Sequence, residues 1–382
     1  MKKLLFVSHD ASRTGAPIVL LSFLNWLNQQ GDYEISVYLK QGGELQKDFT
    51  QVAKTYLSSE ENFAQKITKR IFKQYKNEMS QIPGELLAQR FDFVYLNTVV
   101  CLDLAPLFKA NFKCPVICHI HENEFTINNY YSNYVEERNL IAIDRFIAVS
   151  KSTETNFSTT YGINSDRINL VYEFVDLNKM KTPCISKDEA KHQLGLTNEF
   201  IVGGSGLTSW RKGIDLFLRL AIEINKLRPN NNIKLVWVGF ITHEFNSQYQ
   251  YEAQRLVIKD KVIFTGSVAT PQNYFQVFDI FALTSREDPF PLVALEAASL
   301  GKPIICFKES GGIEEFVEDG ETGFIIPYAD VTAMAIKVLE LQDNRTERVT
   351  MGEKIGTVSA NYDIAIAAPK IVKIIEQIIS KY

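Results

Sequence analysis

A strand–helix rhythm runs through this sequence twice, and few architectures accommodate it. Short apolar, β-branched runs at Leu4–Ser8, Ile35–Leu39, Phe93–Asn97, Val116–His121 and Phe146–Ser150 alternate with helical patterns, of which Pro17–Gln30 is the clearest. That alternation marks parallel strands joined by crossover helices, the doubly wound α/β sheet. The rhythm pauses over 178–198, a polar stretch holding Lys179, Lys181, Pro183 and Lys187. It resumes at Ile201–Gly204, Ile233–Gly239, Val262–Gly266, Ile280–Leu283, Pro303–Phe307 and Phe324–Ile326. The expectation is an α/β chain of two Rossmann-like, doubly wound domains facing across a cleft: 1–177, a linker at 178–198, and 199–364. A length of 382 residues suits two domains, each with its own core. The last segment, Ala365–Lys381, is patterned as an amphipathic helix with Ile366, Ile371, Ile374, Ile375 and Ile378 apolar. Its docking place cannot be read from the pattern.

Open α/β sheets bind ligands beyond the carboxyl ends of their strands, so chemistry is expected in the loops that follow strands. With 41 Lys+Arg against 45 Asp+Glu, the net charge of −4 offers no electrostatic footprint for nucleic acid, and no nucleic-acid partner is expected. The start MKKLLFVS is basic then apolar, but Leu4 to Val7 is too short for an export signal and reads as a first strand. No run approaches the roughly 20 apolar residues of a membrane span. Five cysteines, Cys101, Cys114, Cys118, Cys184 and Cys306, are scattered without a CxxC pair. They argue against a disulfide framework or zinc finger and for the cytoplasm.

Four loops carry candidate chemistry. In SHDASRTGAP, Gly15 precedes a helix with Pro17 at its expected first position, so backbone N–H groups there can approach an anion. A tight strand-to-helix turn accounts for the same residues. In CHIHENE, His119 and His121 project from one face of a strand and Glu122 from the other. His119 reads as a core histidine, whereas His121 stands at the strand end, from which a side chain can reach a cleft. Only Glu122, Glu124 and distant histidines could complete a metal site there, and no metal is expected. In VGGSGLTSWRKGID, adjacent Arg211 and Lys212 stand just before a helix, where an arginine fork and a lysine point charge suit a diphosphate. A solvated basic turn is the equal alternative.

The fourth run, SREDPFPLVALEAASLGKP, separates Asp288 from Glu296 by seven residues, with Pro289 and Pro291 leading into a helix from Leu292. The N–H groups of Leu292 and Val293 would then lie between two carboxylates, an anion site flanked by hydroxyl-binding groups. An acidic first turn complementing the helix dipole accounts for Glu287 and Asp288, but not for Glu296 on an otherwise apolar helix.

On these motifs nearly the whole chain resembles the retaining glycosyltransferases of family 4 (glycosyltransferase group 1), which have the two-domain GT-B architecture. DPFPLVALEAASLGKPIICFKESGGIEEFVEDGETGFII is similar to that family's acid–seven residues–acid motif and the stretch after it, and SWRKGID, HIHE and SRTGAP fall in the expected order. The resemblance implies that Glu296 holds the ribose hydroxyls and Asp288 those of the transferred sugar. It places the amides of Leu292 and Val293, with Arg211 and Lys212, on the diphosphate, and has Gly15 face it from the other domain. His121 would approach the sugar, Ser267 and Val268 would flank the base, and the last helix, 365–382, would return to the first domain. The implied donor is a UDP- or GDP-sugar and no cofactor is required. The implied acceptor is a saccharide or lipid-linked saccharide bound by the first domain. Three departures stand out: Asp288 replaces the commoner Glu, Leu207 stands where an arginine is frequent, so that Arg211 is inferred to supply that charge, and Gly15-Ala16 replaces paired glycines.

Cleavage of a sugar–phosphate bond develops negative charge on the leaving diphosphate, which preorganised cations and amides stabilise. No DxD-type metal cluster is evident, consistent with Arg211 and Lys212 taking that part, and no carboxylate identifies itself as a covalent nucleophile. A sugar-nucleotide epimerase of the same fold and a catalytically silent nucleotide-sugar-binding subunit are the competing readings. Phe63–Tyr75 carries Lys66, Lys69, Arg70 and Lys73 between apolar residues at helical spacing. It raises the expectation of peripheral contact with an anionic membrane at the inner face, against a plain solvated surface helix.

Overall fold

The computed structural model describes residues 1–58, 82–256 and 258–382. They form two compact units, Met1–Tyr172 with Ile364–Tyr382, and Glu173–Asp363. The first holds strands β1 (Lys2–Ser8), β2 (Tyr33–Leu39), β3 (Lys54–Leu57), β4 (Phe93–Asn97), β5 (Val116–Ile120), β6 (Arg145–Ala148) and β7 (Ile168–Leu170). The second holds β8 (Phe200–Ser205), β9 (Ile233–Val238), β10 (Val262–Phe264), β11 (Ile280–Leu283), β12 (Ile304–Phe307) and β13 (Gly323–Ile326). Six helices bear on the argument below: α1 (Gly15–Gln30), α2 (Leu177–Met180), α3 (Lys187–Gln193), α4 (Ile214–Leu227), α5 (Leu292–Ser299) and α6 (Ile364–Ile379).

Both sheets are parallel, in the orders β3-β2-β1-β4-β5-β6-β7 and β10-β9-β8-β11-β12-β13. Helices cover both faces, which is why the central strands read as unbroken apolar runs: Leu4, Leu5, Phe6 and Val7 are all inaccessible to solvent. In each sheet the order in which strands are added reverses beside the first strand, between β1 and β4 and between β8 and β11. A crevice opens beyond the strand ends at such a reversal, so the loops after β1, β4, β8 and β11 are the expected ligand-facing segments.

The helices differ from expectation in instructive ways. α1 begins at Gly15, so Pro17 is its third residue rather than its first, and Gly31 closes it in the left-handed conformation. The last helix packs on the first unit beside α1, and the Tyr33 hydroxyl donates to Glu376 Oε1 at 2.8 Å. Ile371, Ile374, Ile375 and Ile378 are buried as the pattern required, whereas Ile366 is 47% exposed because it lies off that face in the first turn. The stretch 178–198 holds two short helices, and the unit boundary falls at Glu173. The Asp176 side chain caps α2 through Lys179 N, and the Ser186 hydroxyl caps α3 through Glu189 N. Leu177, Met180 and Ala190 are buried, and α2 packs against α5.

Gly213 positions the loop after β8. It takes φ 62°, and a Cβ there would lie 1.9 Å from the Thr284 carbonyl oxygen, so the loop rests directly on the end of β11. Gly213→Ala should therefore lower stability by about 1–3 kcal/mol in urea denaturation, through a left-handed residue and a backbone clash together. A loss below about 0.5 kcal/mol, the range of ordinary surface changes, would contradict this packing.

Candidate functional site

In the second domain the loops after β8 and β11 bring Arg211, Lys212 and Asp288 together. Lys212 Nζ lies 2.5 Å from Asp288 Oδ2, Arg211 lies 3.5 Å from Oδ1, and the Ser285 hydroxyl donates to Oδ2 at 3.3 Å. Backbone bonds fix the geometry: Asp288 N donates to Ser310 O, Gly312 N to Asp288 O and Arg286 N to Arg211 O. Arg286 braces the same loop, gripping Asp215 with both arms of its fork at 2.8 and 2.6 Å and lying over the Trp210 ring. Burial works against the Asp288 charge, but Lys212 and Arg211 outweigh it and hold the carboxyl below its ordinary value. Burial also pulls the Lys212 ammonium below its usual range, with Asp288 opposing.

The resemblance placed Asp288 on sugar hydroxyls; in the structure its carboxylate is the counter-ion of both cations. The reason is desolvation: two adjacent cations laid over a strand end need an anion within reach, and Asp288 is only 4% exposed. Leu207 is exposed, which leaves Arg211 as the second cation beside Lys212.

Asp288 leads through Pro289-Phe290-Pro291 into α5. Phe290 is buried, stacked on Tyr362 at 5.5 Å between ring centroids, and this pins the entry of the helix. No side chain caps α5, and among the described residues no acceptor faces the amides of Leu292 and Val293. One turn on, half-buried Glu296 has its pKa pushed up to about 7 by burial, with Lys179 of α2 opposing. Lys179 was missed as a partner because it lies in the stretch expected to be a linker. Ser267 and Val268, exposed and half-buried respectively, follow β10 at the far edge of the sheet. The loops after β9 and β10 are tied there by Gly239 N donating to Gly266 O.

In the first domain His121 is the first residue past β5 rather than its last. Its backbone N–H donates to Glu122 Oε2 at 3.0 Å, and the same oxygen accepts from Val99 N. Its ring lies 4.2 Å from that of His119, which is buried against the Tyr95 hydroxyl and held neutral by burial. Asn97, at the end of β4, joins His121 to Ala16, next to Gly15 in the first turn of α1. His9 stands close enough to His121 for their charges to interact; burial lowers its pKa, with Asp10 opposing. Asn97 went unrecognised because an asparagine ending an apolar strand has no signature of its own.

Among the described residues, no three His, Cys, Asp or Glu side chains gather where they could hold a metal ion, and no helix is long and apolar enough to cross a membrane. The basic segment Phe63–Tyr75 lies outside the described residues.

Comparison with known proteins agrees with this architecture. The family model described as glycosyl transferases group 1 matches residues 186–356, and that of glycosyltransferase family 4 matches residues 13–179. An uncharacterized glycosyltransferase of Haemophilus influenzae is 25% identical over 95% of this chain and 97% of its own length. The capsular polysaccharide biosynthesis glycosyltransferase CapM of Staphylococcus aureus is 28% identical over 53% of this chain, which spans about half (49%) of CapM. In structure the chain is similar to Anabaena HepE in complex with UDP-glucose, with a TM-score of 0.83, 19% identity, and coverage of 99% of this chain and 100% of HepE. The chain belongs to the family 4, group 1 glycosyltransferases, and its two Rossmann-like domains are those of the GT-B fold.

Two stability measurements probe the second-domain site. Asp288→Ala leaves the half-buried Lys212 and Arg211 without that anion and should cost up to about 3 kcal/mol. Combining Asp288→Leu with Lys212→Met should recover most of that loss in denaturant unfolding. Additive losses in the double variant would contradict a direct pair. For Glu296, the folded pKa of about 7 exceeds the unfolded value, so its contribution is most favourable below roughly pH 4.5 and is lost as pH rises through 7. Glu296→Gln should therefore stabilise the protein at pH 8, by up to about 3 kcal/mol, and do little at pH 4. A destabilised variant at pH 8 would refute the buried charge.

Proposed function

We propose that this chain moves a sugar from a UDP- or GDP-sugar to a hydroxyl of a saccharide or lipid-linked saccharide, with retention of configuration and without a divalent metal. The observation that carries the reading is the cation pair Arg211–Lys212, seated at the reversal point of the second sheet on Asp288, which leads into α5, whose first amides, Leu292 and Val293, have no acceptor among the described residues. The CapM likeness supports a role in surface polysaccharide or glycoconjugate synthesis, and HepE with UDP-glucose favours uridine as the base. All five cysteines are free thiols, four of them buried, which supports a cytoplasmic site of action.

The Asp288 ion pair serves this chemistry by preorganisation. It holds Lys212 and Arg211 in place before a substrate arrives, so little reorganisation is needed when charge develops on the leaving group. The diphosphate then takes over the two cations, and the Asp288 carboxylate becomes available to the hydroxyls of the transferred sugar. Glu296 accepts from the ribose hydroxyls, and Ser267 and Val268 flank the base. The first domain binds the acceptor, with His121 and Gly15 as its substrate-facing residues. In the transfer itself, the bond from the anomeric carbon to the phosphate oxygen breaks and its electron pair stays with the diphosphate. The acceptor oxygen forms the new bond on the same face, and its proton passes to the leaving phosphate.

The test incubates the protein with a panel of nucleotide sugars and saccharide acceptors in EDTA and follows nucleoside diphosphate release. Release only when an acceptor is present is the expected outcome. Donor conversion without acceptor would mean an epimerase, and binding without turnover a silent subunit. Glu296→Gln should weaken donor binding about tenfold, the loss of a charge-assisted hydrogen bond. His121→Ala should lower kcat more than it raises the donor KM. Donor affinity should also fall as pH drops below about 7, because a protonated Glu296 loses its charge. Equal affinity for wild type and Glu296→Gln would remove the ribose assignment.

A further inference from the structure

The loops that follow β8 and β9 expose three large apolar side chains. Leu207 is 45% exposed, Trp210 53% and Phe240 49%. Single exposed apolar residues are ordinary, but these stand on two loops that are bonded to each other at the carboxyl end of the second sheet. Phe240 is the first side chain past β9, since Gly239 has none. Main-chain atoms fix its place. Phe240 O accepts from the Thr208 amide at 3.0 Å and from the Thr208 hydroxyl at 2.8 Å, and Gly239 N donates to Gly266 O at 3.1 Å. Gly239 lies so close to the loop after β8 that a Cβ there would stand 2.1 Å from Gly206 O. Ile241 and Phe245 pack against the second core, whereas Phe240 lies outside it and, among the described residues, meets no other aromatic ring.

Strand order decides what this ring can meet. In the run β10-β9-β8-β11, Arg211 and Lys212 stand on the loop after β8, and Ser267 and Val268 on the loop after β10. Neighbouring strands lie about 4.8 Å apart, so these two loops are separated by about 10 Å, with the end of β9 between them. A nucleotide whose diphosphate rests on the cations and whose base reaches Ser267 and Val268 passes over Phe240.

We infer that Phe240 is the platform on which the base of the donor stacks. The inference rests on the proposed donor site and deepens it by naming the side chain that meets the base. A flat base laid on the phenyl ring covers apolar surface that otherwise faces water, and the two π-systems attract in an offset stack. The ring carries no hydrogen-bonding group, so it holds uracil and guanine alike. Phe240 therefore supplies affinity, and the choice between bases falls to polar groups around Ser267. Trp210 is employed differently: it directly precedes the cations, and Arg286 lies over its ring at 5.1 Å.

Because the bonds that hold residue 240 are made by main-chain atoms, changing its side chain leaves the loop in place. Binding of UDP and of GDP is measured by calorimetry in EDTA for wild type, Phe240→Ala and Phe240→Trp. Phe240→Ala should weaken whichever nucleotide binds by about tenfold, and by the same factor for both where both bind. Phe240→Trp should hold the nucleotide as tightly as wild type. Inorganic pyrophosphate, which has no base, should bind all three proteins equally. In turnover the base is remote from the breaking bond, so Phe240→Ala should raise the donor KM and leave kcat within about twofold. A further readout is independent of affinity. In deuterated protein carrying protonated phenylalanine alone, saturating the phenyl protons should attenuate the base protons of the bound nucleotide, and Phe240→Leu should abolish that transfer. Equal affinity of wild type and Phe240→Ala for a nucleotide that wild type binds would overturn the inference, as would an equal loss for pyrophosphate or a transfer that survives Phe240→Leu. The two readings fail distinguishably: a wild type that binds neither UDP nor GDP removes the donor site and the inference together, whereas nucleotide binding that ignores Phe240 removes the inference alone.

Discussion

The buried pair between Lys212 and Asp288 is the constraint on which the second domain's site depends. Neither charge could stay at the end of β11 alone, because each is stripped of most of its water and an unpaired buried charge costs several kcal/mol. The pair therefore dictates what surrounds it. Gly213 must be glycine so that the loop can lie on Thr284, Ser285 must turn its hydroxyl toward the carboxylate, and the backbone of Ser310 must come across to hold Asp288. Arg286, clasped to Asp215 and laid over Trp210, closes the loop from its outer side. A site built in this way holds positive charge in a fixed position before any ligand arrives, the property that a leaving diphosphate requires.

The same domain tolerates a second strained group in Glu296. Its carboxylate sits on an apolar helix where burial raises its pKa, and Lys179 relieves only part of that penalty. A chain selected for stability alone would place an amide or an alkyl group there. Retaining an acid at a cost to folding is the pattern expected where function sets the residue, and it gives Glu296 a weight that its position in a motif would not carry by itself.

Much of the architecture was legible because it rests on period and burial. Parallel strands buried on both faces must be apolar throughout, so their positions stand out, and Asp288, Leu292 and Glu296 fall where the proline-led helix start puts them. Partnerships that depend on three-dimensional proximity could not be read. Asp288 lies 76 residues from Lys212, and nothing in either segment announces that they meet. The stretch 178–198 reads as a linker because polar residues dominate it. Yet Ser186 followed by Glu189 is a helix-start signal, and Leu177 and Met180 supply the anchor that brings Lys179 to Glu296. Asn97 illustrates the limit most clearly: its side chain bonds both His121 and the Ala16 carbonyl, 81 residues away.

The most direct test of the account is a crystal structure of the protein with a nucleoside diphosphate, grown in EDTA. The account predicts phosphate oxygens bonded to the amides of Leu292 and Val293, Lys212 and Arg211 turned from Asp288 onto the diphosphate, and the ribose hydroxyls on Glu296. A nucleotide bound elsewhere, or one that leaves the Lys212–Asp288 pair intact and does not touch Glu296, would contradict it.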